Sequence, residues 1–393
     1  MGALMRRYWI PALFASQVPA PDCSPVRVKL LGERLVAFRD TQGRIGLLDE
    51  RCPHRTASLF FGRSEDGGLR CAYHGWKFDV HGQCLDTPSE PGDSNLCSRV
   101  RQTAYPCLEQ GGIIWTYMGP PEFKPGFLNL EWAKVPESHR FATRHVQECN
   151  WLQGLEGGFD TSHLSFLHRG DATLSVPTRY EVISTPYGFV AGTGRDGANG
   201  KTTWSANVML MPFHKLIATN PIGAHMWVPI DDENTMIYSI EYAPNRPLEV
   251  GELERSKNWN GIHAQNLPGT DYAVLNRRND YMIDRALQSS GKSYTGIKGL
   301  AMQDCGIQES MGPIADRTIE HLGISDTVIV RMRRFLLRTL KEFEDGVHPP
   351  GLDPMTHRVR SALFTVATEQ DFKDVVDGFV QIGEPARAQE PVH

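Results

Sequence analysis

Along the first 120 residues the apolar positions come in short alternating runs rather than in helical stripes. Residues 26–30 (VRVKL) and 34–38 (RLVAF) flank Gly32-Glu33, which predicts a hairpin. Residues 45–48 (IGLL) lead straight into Cys52, and 76–80 (WKFDV) and 112–118 (GIIWTYM) repeat the pattern. Together they predict a small all-β module over 26–122, with its boundary at Pro120, Pro121 and Pro125. Residues 1–25 are apolar and proline-punctuated, and read as a docking arm. Beyond 123 the pattern changes. A helical segment at 150–168 is followed by β-type runs at 188–191 (GFVA) and 203–210 (TWSANVML). The strongest helical signal comes late: Val328, Met332, Phe335, Leu336, Leu340 and Phe343 recur at i+3 and i+4. Ser325 or Asp326 can cap that helix, and Gly346 with Pro349-Pro350 stops it. Residues 123–383 therefore read as an α+β domain, strands first and helices later. The polar tail 384–393 is expected to fray.

Composition narrows the function classes. The 393 residues carry 41 basic and 46 acidic side chains, a net charge of −5, with no basic run, so a nucleic-acid partner is not expected. No apolar stretch approaches the roughly 18 residues needed to span a bilayer. Arg6-Arg7 ahead of Tyr8-Trp9-Ile10 hints at a secretory signal, but Pro11 breaks the stretch. Without such a signal the eight cysteines (23, 52, 71, 84, 97, 107, 149 and 305) read as reduced thiols, and the expected location is the cytoplasm. Gly192-Thr193-Gly194-Arg195-Asp196-Gly197 matches a dinucleotide-binding fingerprint letter for letter. The residues after Gly200 are β-type, however, so no helix N-terminus is available to hold a pyrophosphate.

The chemistry begins at Cys52-Pro53-His54 and, after sixteen intervening residues, Cys71-Ala72-Tyr73-His74-Gly75-Trp76. Two thiolates and two imidazoles suit either zinc or an iron–sulfur cluster. C-x-H is tight for one tetrahedral ion, whereas a cluster with two irons can take one Cys and one His from each loop. The two loops closely resemble the ligand loops of the Rieske family, in which two His replace two Cys on one iron of a [2Fe–2S] cluster. In that reading Cys52, His54, Cys71 and His74 are the ligands. Trp76 and Tyr73 either shield the cluster or simply pack.

A second constellation lies further on: Asn150-Trp151-Leu152-Gln153, then Asp160, His163 and His168 in a D-x2-H-x4-H pattern. Two imidazoles and one distant carboxylate make the facial triad of non-haem Fe(II) oxygenases. At i, i+5 the two His lie about 140° apart on an ideal helix, so both reach one ion only where the helix ends or widens.

N-x2-Q followed by D-x2-H-x4-H, roughly 75 residues after the Cys/His loops, is similar to the catalytic α subunit of Rieske non-haem iron ring-hydroxylating oxygenases. The flavour is that of the phthalate dioxygenase-like, α-only branch, and the resemblance covers essentially the whole chain. It implies a catalytic domain with an antiparallel sheet flanked by helices, of helix-grip or START-like form. It implies mononuclear Fe(II) held by His163, His168 and a carboxylate from further along, best matched by Asp304. Glu309 and Asp316 compete for that place, and Asp304 has the alternative of a capping or surface acid. Asp160 is implied to link an iron His of one subunit to a cluster His of its neighbour. Asn150 either hydrogen-bonds near the iron or caps the helix. Electrons are implied to come from a separate NADH-dependent reductase carrying FMN and a plant-type [2Fe–2S] cluster. The assembly is implied to be a homotrimer or a dimer of trimers.

The implied reaction uses O2 to add one or two oxygens to an aromatic ring, most simply an aromatic carboxylate. Such a substrate calls for a cation, with Arg179, Arg195 and Lys215 available. Ser205 stands where phthalate-type enzymes have Arg, which argues against phthalate itself. The alternative within the family is O- or N-demethylation or monooxygenation of a methoxylated or heterocyclic aromatic. A Rieske electron carrier without catalysis would need only about the first 120 residues.

Overall fold

A computed structural model describes residues 1–169 and 175–382. The expected frayed tail, 384–393, lies outside the described residues. The chain divides into two compact units. The first comprises residues 1–125 with two short returns, 148–151 and 228–236, and the second holds the rest.

The first unit is built from ten short strands in three antiparallel sheets. Strands β1 (Trp9–Phe14), β10 (Ile113–Tyr117) and β9 (Cys107–Gln110) form one sheet. Strands β2 (Val26–Leu30), β3 (Glu33–Arg39) and β4 (Ile45–Asp49) form the second. The third runs β5 (Arg63–Glu65), β6 (Gly68–Arg70), β7 (Lys77–Phe78) and β8 (Cys84–Asp86). The β2–β3 hairpin turns through Leu31 and Gly32, both at positive φ, as a two-residue loop of this hand requires. Residues 1–25 differ from the expected arm. Their apolar residues include β1, which pairs with β10 from Trp9↔Tyr117 to Phe14↔Ile113. That pairing joins segments about a hundred residues apart, and no local pattern announces it.

The second unit carries one eight-stranded antiparallel sheet. Its order is β11 (Arg140–Gln147), β17 (Thr235–Tyr242), β16 (Ile222–Pro229), β15 (His214–Ile217), β14 (Lys201–Leu210), β13 (Gly188–Asp196) and β12 (Arg179–Thr185). The early half of β14 also pairs with β18 (Ala362–Ala367). The glycine-rich 192–197 segment is a hairpin, closed by Asp196↔Thr202, so the dinucleotide motif is a coincidence of letters. The late helix runs Thr327–Glu344 with Val328, Met332, Phe335 and Leu336 buried, and Phe335 meets Phe189 of the sheet edge-on at 5.4 Å. Asp326 sits at its N-terminus without capping it; the carboxylate accepts instead from the Gly323 amide. No helix among the described residues is long and apolar enough to cross a membrane.

The helix expected over 150–168 is shorter, Trp151–Phe159, and a 3-10 turn at His163–Ser165 comes after it. Its glycines set how closely it approaches its neighbours. A Cβ on Gly158 would lie 2.4 Å from the Trp227 ring, and one on Gly157 would lie 2.1 Å from the Gln308 amide. Gly158→Ala is therefore expected to destabilise this unit by about 1–3 kcal/mol through overpacking, read as a lowered thermal midpoint. An unchanged midpoint would mean that the helix is free to shift.

Candidate metal centres and active-site cavity

The two Cys/His loops share one backbone plan. In the first, the Cys52 amide donates to Ala57 O and the Thr56 amide to Cys52 O; in the second, Cys71 donates to Trp76 O and Gly75 to Cys71 O. Thr56 and Gly75 both sit at positive φ, which turns each loop back on itself. The Arg70 guanidinium fixes the second loop, reaching Gly75 O at 2.7 Å and Asp86 at 2.8 Å. Both ligand cysteines belong to the hydrophobic core of the unit, with Leu48, Leu69 and Phe78.

Within this frame the donor atoms segregate by type. The Cys52 and Cys71 thiols neighbour each other closely enough to shift one another's titration, and the His54 and His74 rings stand 4.4 Å apart, edge to face. The pairing holds the Cys71 thiol down, helped by the amides of Tyr73 and His74, while the same pairing and burial push the Cys52 thiol up. Sulfur beside sulfur and nitrogen beside nitrogen is the division that a two-iron cluster with unlike ends needs. His54 Nδ1 is buried without a hydrogen-bond partner, as a ring nitrogen reserved for a metal would be. Trp76 stacks on His54 at 4.4 Å and is buried, while Tyr73 covers His74 at 3.8 Å from the exposed side.

In the second unit the helix ends at Phe159, which is what lets His163 and His168 turn toward one point. The ligand atoms of His163, His168 and Asp304 lie within 4.8 Å of one another. Asp304 projects from the helix Leu300–Ser310, and its Oδ1 is 3.5 Å from His163 Nε2 and 3.3 Å from His168 Nε2. That oxygen is buried and satisfies no hydrogen bond. His168 Nδ1 faces Gln303 Oε1 at 2.6 Å, and His163 Nδ1 faces Asp160 Oδ2 at 3.5 Å. With each Nδ1 turned to an acceptor, each Nε2 presents its lone pair to the carboxylate. Three lone pairs in mutual contact repel unless a cation lies among them, so the donor set fits a divalent iron. Burial works to raise the Asp160 carboxyl, but the His163 ring and the Ser162 and His163 amides outweigh it and hold it low.

The competitors for the third position lie elsewhere. Glu309 accepts from Tyr281 Oη at 2.5 Å, and Asp316 caps a short turn through Thr318. Asn150 donates to Asp232 O at 2.7 Å within the first unit and is not among the residues lining the cavity. Gln153 is a brace: its amide donates to the carbonyls of Gln308 and Gly312 and accepts from Ala315. Sequence reading missed Gln303, whose own amide is held by Ile297 O at 3.0 Å. Gln303→Leu is expected to lower iron affinity roughly tenfold with the cluster spectrum unchanged, measured by chelator competition. Unaltered affinity would show that His168 needs no such partner.

A cavity of about 290 Å³ opens beside the triad. Ile217, Trp227, Ile237, Ile262 and Leu300 give it apolar walls, and Ser205, Asn207 and Lys215 contribute polar groups. Of the three cations expected near a substrate, only Lys215 lines it. Arg179 pairs with Asp196 at 2.8 Å, and Arg195 donates to Ser175 O at 2.6 Å.

Comparison with known proteins agrees with this arrangement. Residues 8–105 match the Rieske [2Fe-2S] domain, and residues 116–178 and 173–373 match the family described as LigXa C-terminal domain like. The chain is 38% identical to the 3-chlorobenzoate-3,4-dioxygenase oxygenase subunit of Comamonas testosteroni, covering 90% of this chain and 88% of that one. It is 37% identical to the phthalate 4,5-dioxygenase oxygenase subunit of Pseudomonas putida, covering 95% and 90%. Its fold is that of dicamba monooxygenase bound to dicamba, with a TM-score of 0.63 at 18% identity over 88% of this chain and all of that one. The chain belongs to the Rieske non-haem iron ring-hydroxylating oxygenases, as a catalytic subunit of the phthalate dioxygenase-like branch. It is thus an oxidoreductase, the oxygenase component of its system.

Proposed function

We propose that this chain hydroxylates an aromatic carboxylate, with a Rieske cluster held by Cys52, His54, Cys71 and His74 and Fe(II) held by His163, His168 and Asp304. The observation that carries the reading is the convergence of three metal-seeking lone pairs on one wall of a largely apolar, ring-sized cavity. Relatives at 37–38% identity are named for 3-chlorobenzoate and phthalate, which supports an aromatic acid as the substrate class.

Bound iron supplies activation of O2 next to the substrate. The protein's own part is positioning. Gln303 and Asp160 fix the two imidazoles, and the apolar walls orient the ring and exclude water from it. Amides of Tyr73 and His74 favour the Cys71 thiolate, and those of His54 and Arg55 offset part of the burial that pushes the Cys52 thiol up. Electrons come from a separate NADH-dependent reductase, of the type carrying FMN and a plant-type [2Fe–2S] cluster. The chain works in the cytoplasm as a ring, a homotrimer or a dimer of trimers. There Asp160 joins His163 to a cluster imidazole of the adjoining subunit, a heterologous contact that closes on itself.

Turnover with a reductase and 18O-labelled O2, across aromatic acids and aromatic methyl ethers, tests the reading. The expected product is a ring-hydroxylated acid carrying label. Unlabelled phenol with formaldehyde from the ethers, and no product from the acids, would move the assignment to demethylation.

A further inference from the structure

The first unit holds a second pair of sulfurs that neither the cluster ligands nor the oxygenase chemistry uses. Cys84 stands on β8 and Cys97 on the short helix Leu96–Arg99, with twelve residues between them. Both are free thiols, and their sulfurs lie 3.1 Å apart, about 1 Å beyond bonding distance. Cys84 is buried in the same apolar core as Cys52, Cys71 and Trp76, while Cys97 packs on that core half-buried. Each sulfur sits close to a brace of one ligand loop. Two residues after Cys84, Asp86 accepts from Arg70 at 2.8 Å, and Arg70 holds Gly75 O of the second loop at 2.7 Å. Beyond the Cys97 helix, the Gln102 side-chain amide donates to Asp49 O at 3.0 Å and to Arg51 O at 2.7 Å, immediately before Cys52. The two braces already touch. The Gln102 backbone amide donates to Gly82 O at 2.7 Å, and Arg101 bridges to Gln83.

We propose that Cys84 and Cys97 are a reversible dithiol–disulfide site, closed by a small-molecule disulfide such as glutathione disulfide, and that the closed form staples the braces of both cluster loops. This is independent of the aromatic-acid reading above. Cys97 is the attacking sulfur because it reaches solvent, whereas burial and the Cys97 contact push the Cys84 thiol up and keep it protonated. The Cys97 thiolate displaces one glutathione thiolate and forms a mixed disulfide. The Cys84 sulfur then attacks the Cys97 sulfur, the bond to glutathione breaks, and the Cys84 proton leaves with the second glutathione. Two protein thiols are oxidised and one glutathione disulfide is reduced to two thiols, so excess reduced glutathione reverses the exchange. Disulfides in a reducing compartment are mostly of this transient, redox-sensing kind. Closing a loop of this length lowers the entropy of opened forms of the core, through which a cluster must leave. The rival role is packing, two small apolar thiols filling a gap in the core. A packing pair stays reduced in every buffer.

The test equilibrates the cluster-loaded full chain, without oxygen, in glutathione buffers running from fully reduced to fully oxidised. One set of samples is denatured in an alkylating agent and mapped by peptide mass spectrometry. A parallel set is challenged with an iron chelator while the cluster's absorption is followed. Oxidised wild-type protein is expected to lose alkylation at Cys84 and Cys97 together, to yield the peptide that links them, and to release its cluster at least about fivefold more slowly. Returning it to reduced glutathione should restore both readouts. In Cys97→Ser, Cys84 should stay alkylated in every buffer and the rate of cluster loss should ignore the buffer. If Cys97→Ser loads its cluster poorly, the mapping and timing of the wild type decide alone. Both cysteines alkylated in the most oxidising buffer, a mixed disulfide that stops at Cys97, or a Cys84–Cys97 link that leaves the cluster's lifetime unchanged overturns the proposal. None of these outcomes bears on oxygen incorporation, which is measured separately.

Discussion

Replacing His163 with alanine is expected to abolish turnover and to leave the visible spectrum of the Rieske cluster intact. His163 Nε2 lies 3.5 Å from Asp304 Oδ1 and is one of the three ligand atoms gathered there among the described residues. Its loss leaves one imidazole and one carboxylate, too few to hold iron against water. Iron should fall from about three to about two per chain, because the cluster ligands belong to other loops in the other unit. Metal analysis and the cluster's absorption, measured on one sample, check both halves of the expectation. An active His163→Ala enzyme would remove the iron assignment.

The second large effect is expected from Asp160→Asn. The change is nearly isosteric, and asparagine can still accept from the Ser162 amide, which now donates to Asp160 Oδ1 at 2.7 Å. What disappears is the negative charge facing His163 Nδ1 at 3.5 Å. Both metal centres should therefore load normally while electron transfer between cluster and iron slows, by something on the order of 10–100-fold. Single-turnover stopped-flow spectroscopy separates the two, since cluster oxidation is visible directly. Unimpaired transfer with both metals in place would show that Asp160 only orients its own histidine.

Those two residues were legible in the sequence because their spacing is local. D-x2-H-x4-H needs one helix end, and the chain supplies it at Phe159. The Cys/His loops were legible for the same reason, since each is one short turn closed by its own backbone hydrogen bonds. The hairpin at 192–202 also declared itself, through β-type residues where a nucleotide site needs a helix. Contacts between distant segments did not. Gln303 reaches His168 across 135 residues, and nothing about an isolated glutamine marks it. The choice of Lys215 over Arg179 and Arg195 depended on which strand faces the cavity, and strand pairing across the sheet decides that. Asp326 looked like the cap of the late helix because capping preferences are statistical; here the Gly323 amide took its carboxylate.

The most direct measurement is the metal and acid-labile sulfide content of the purified protein. The account predicts about three irons and about two sulfides per chain, with a red-brown colour that dithionite bleaches. Zinc in place of iron, with no sulfide released by acid and no colour to bleach, would contradict it.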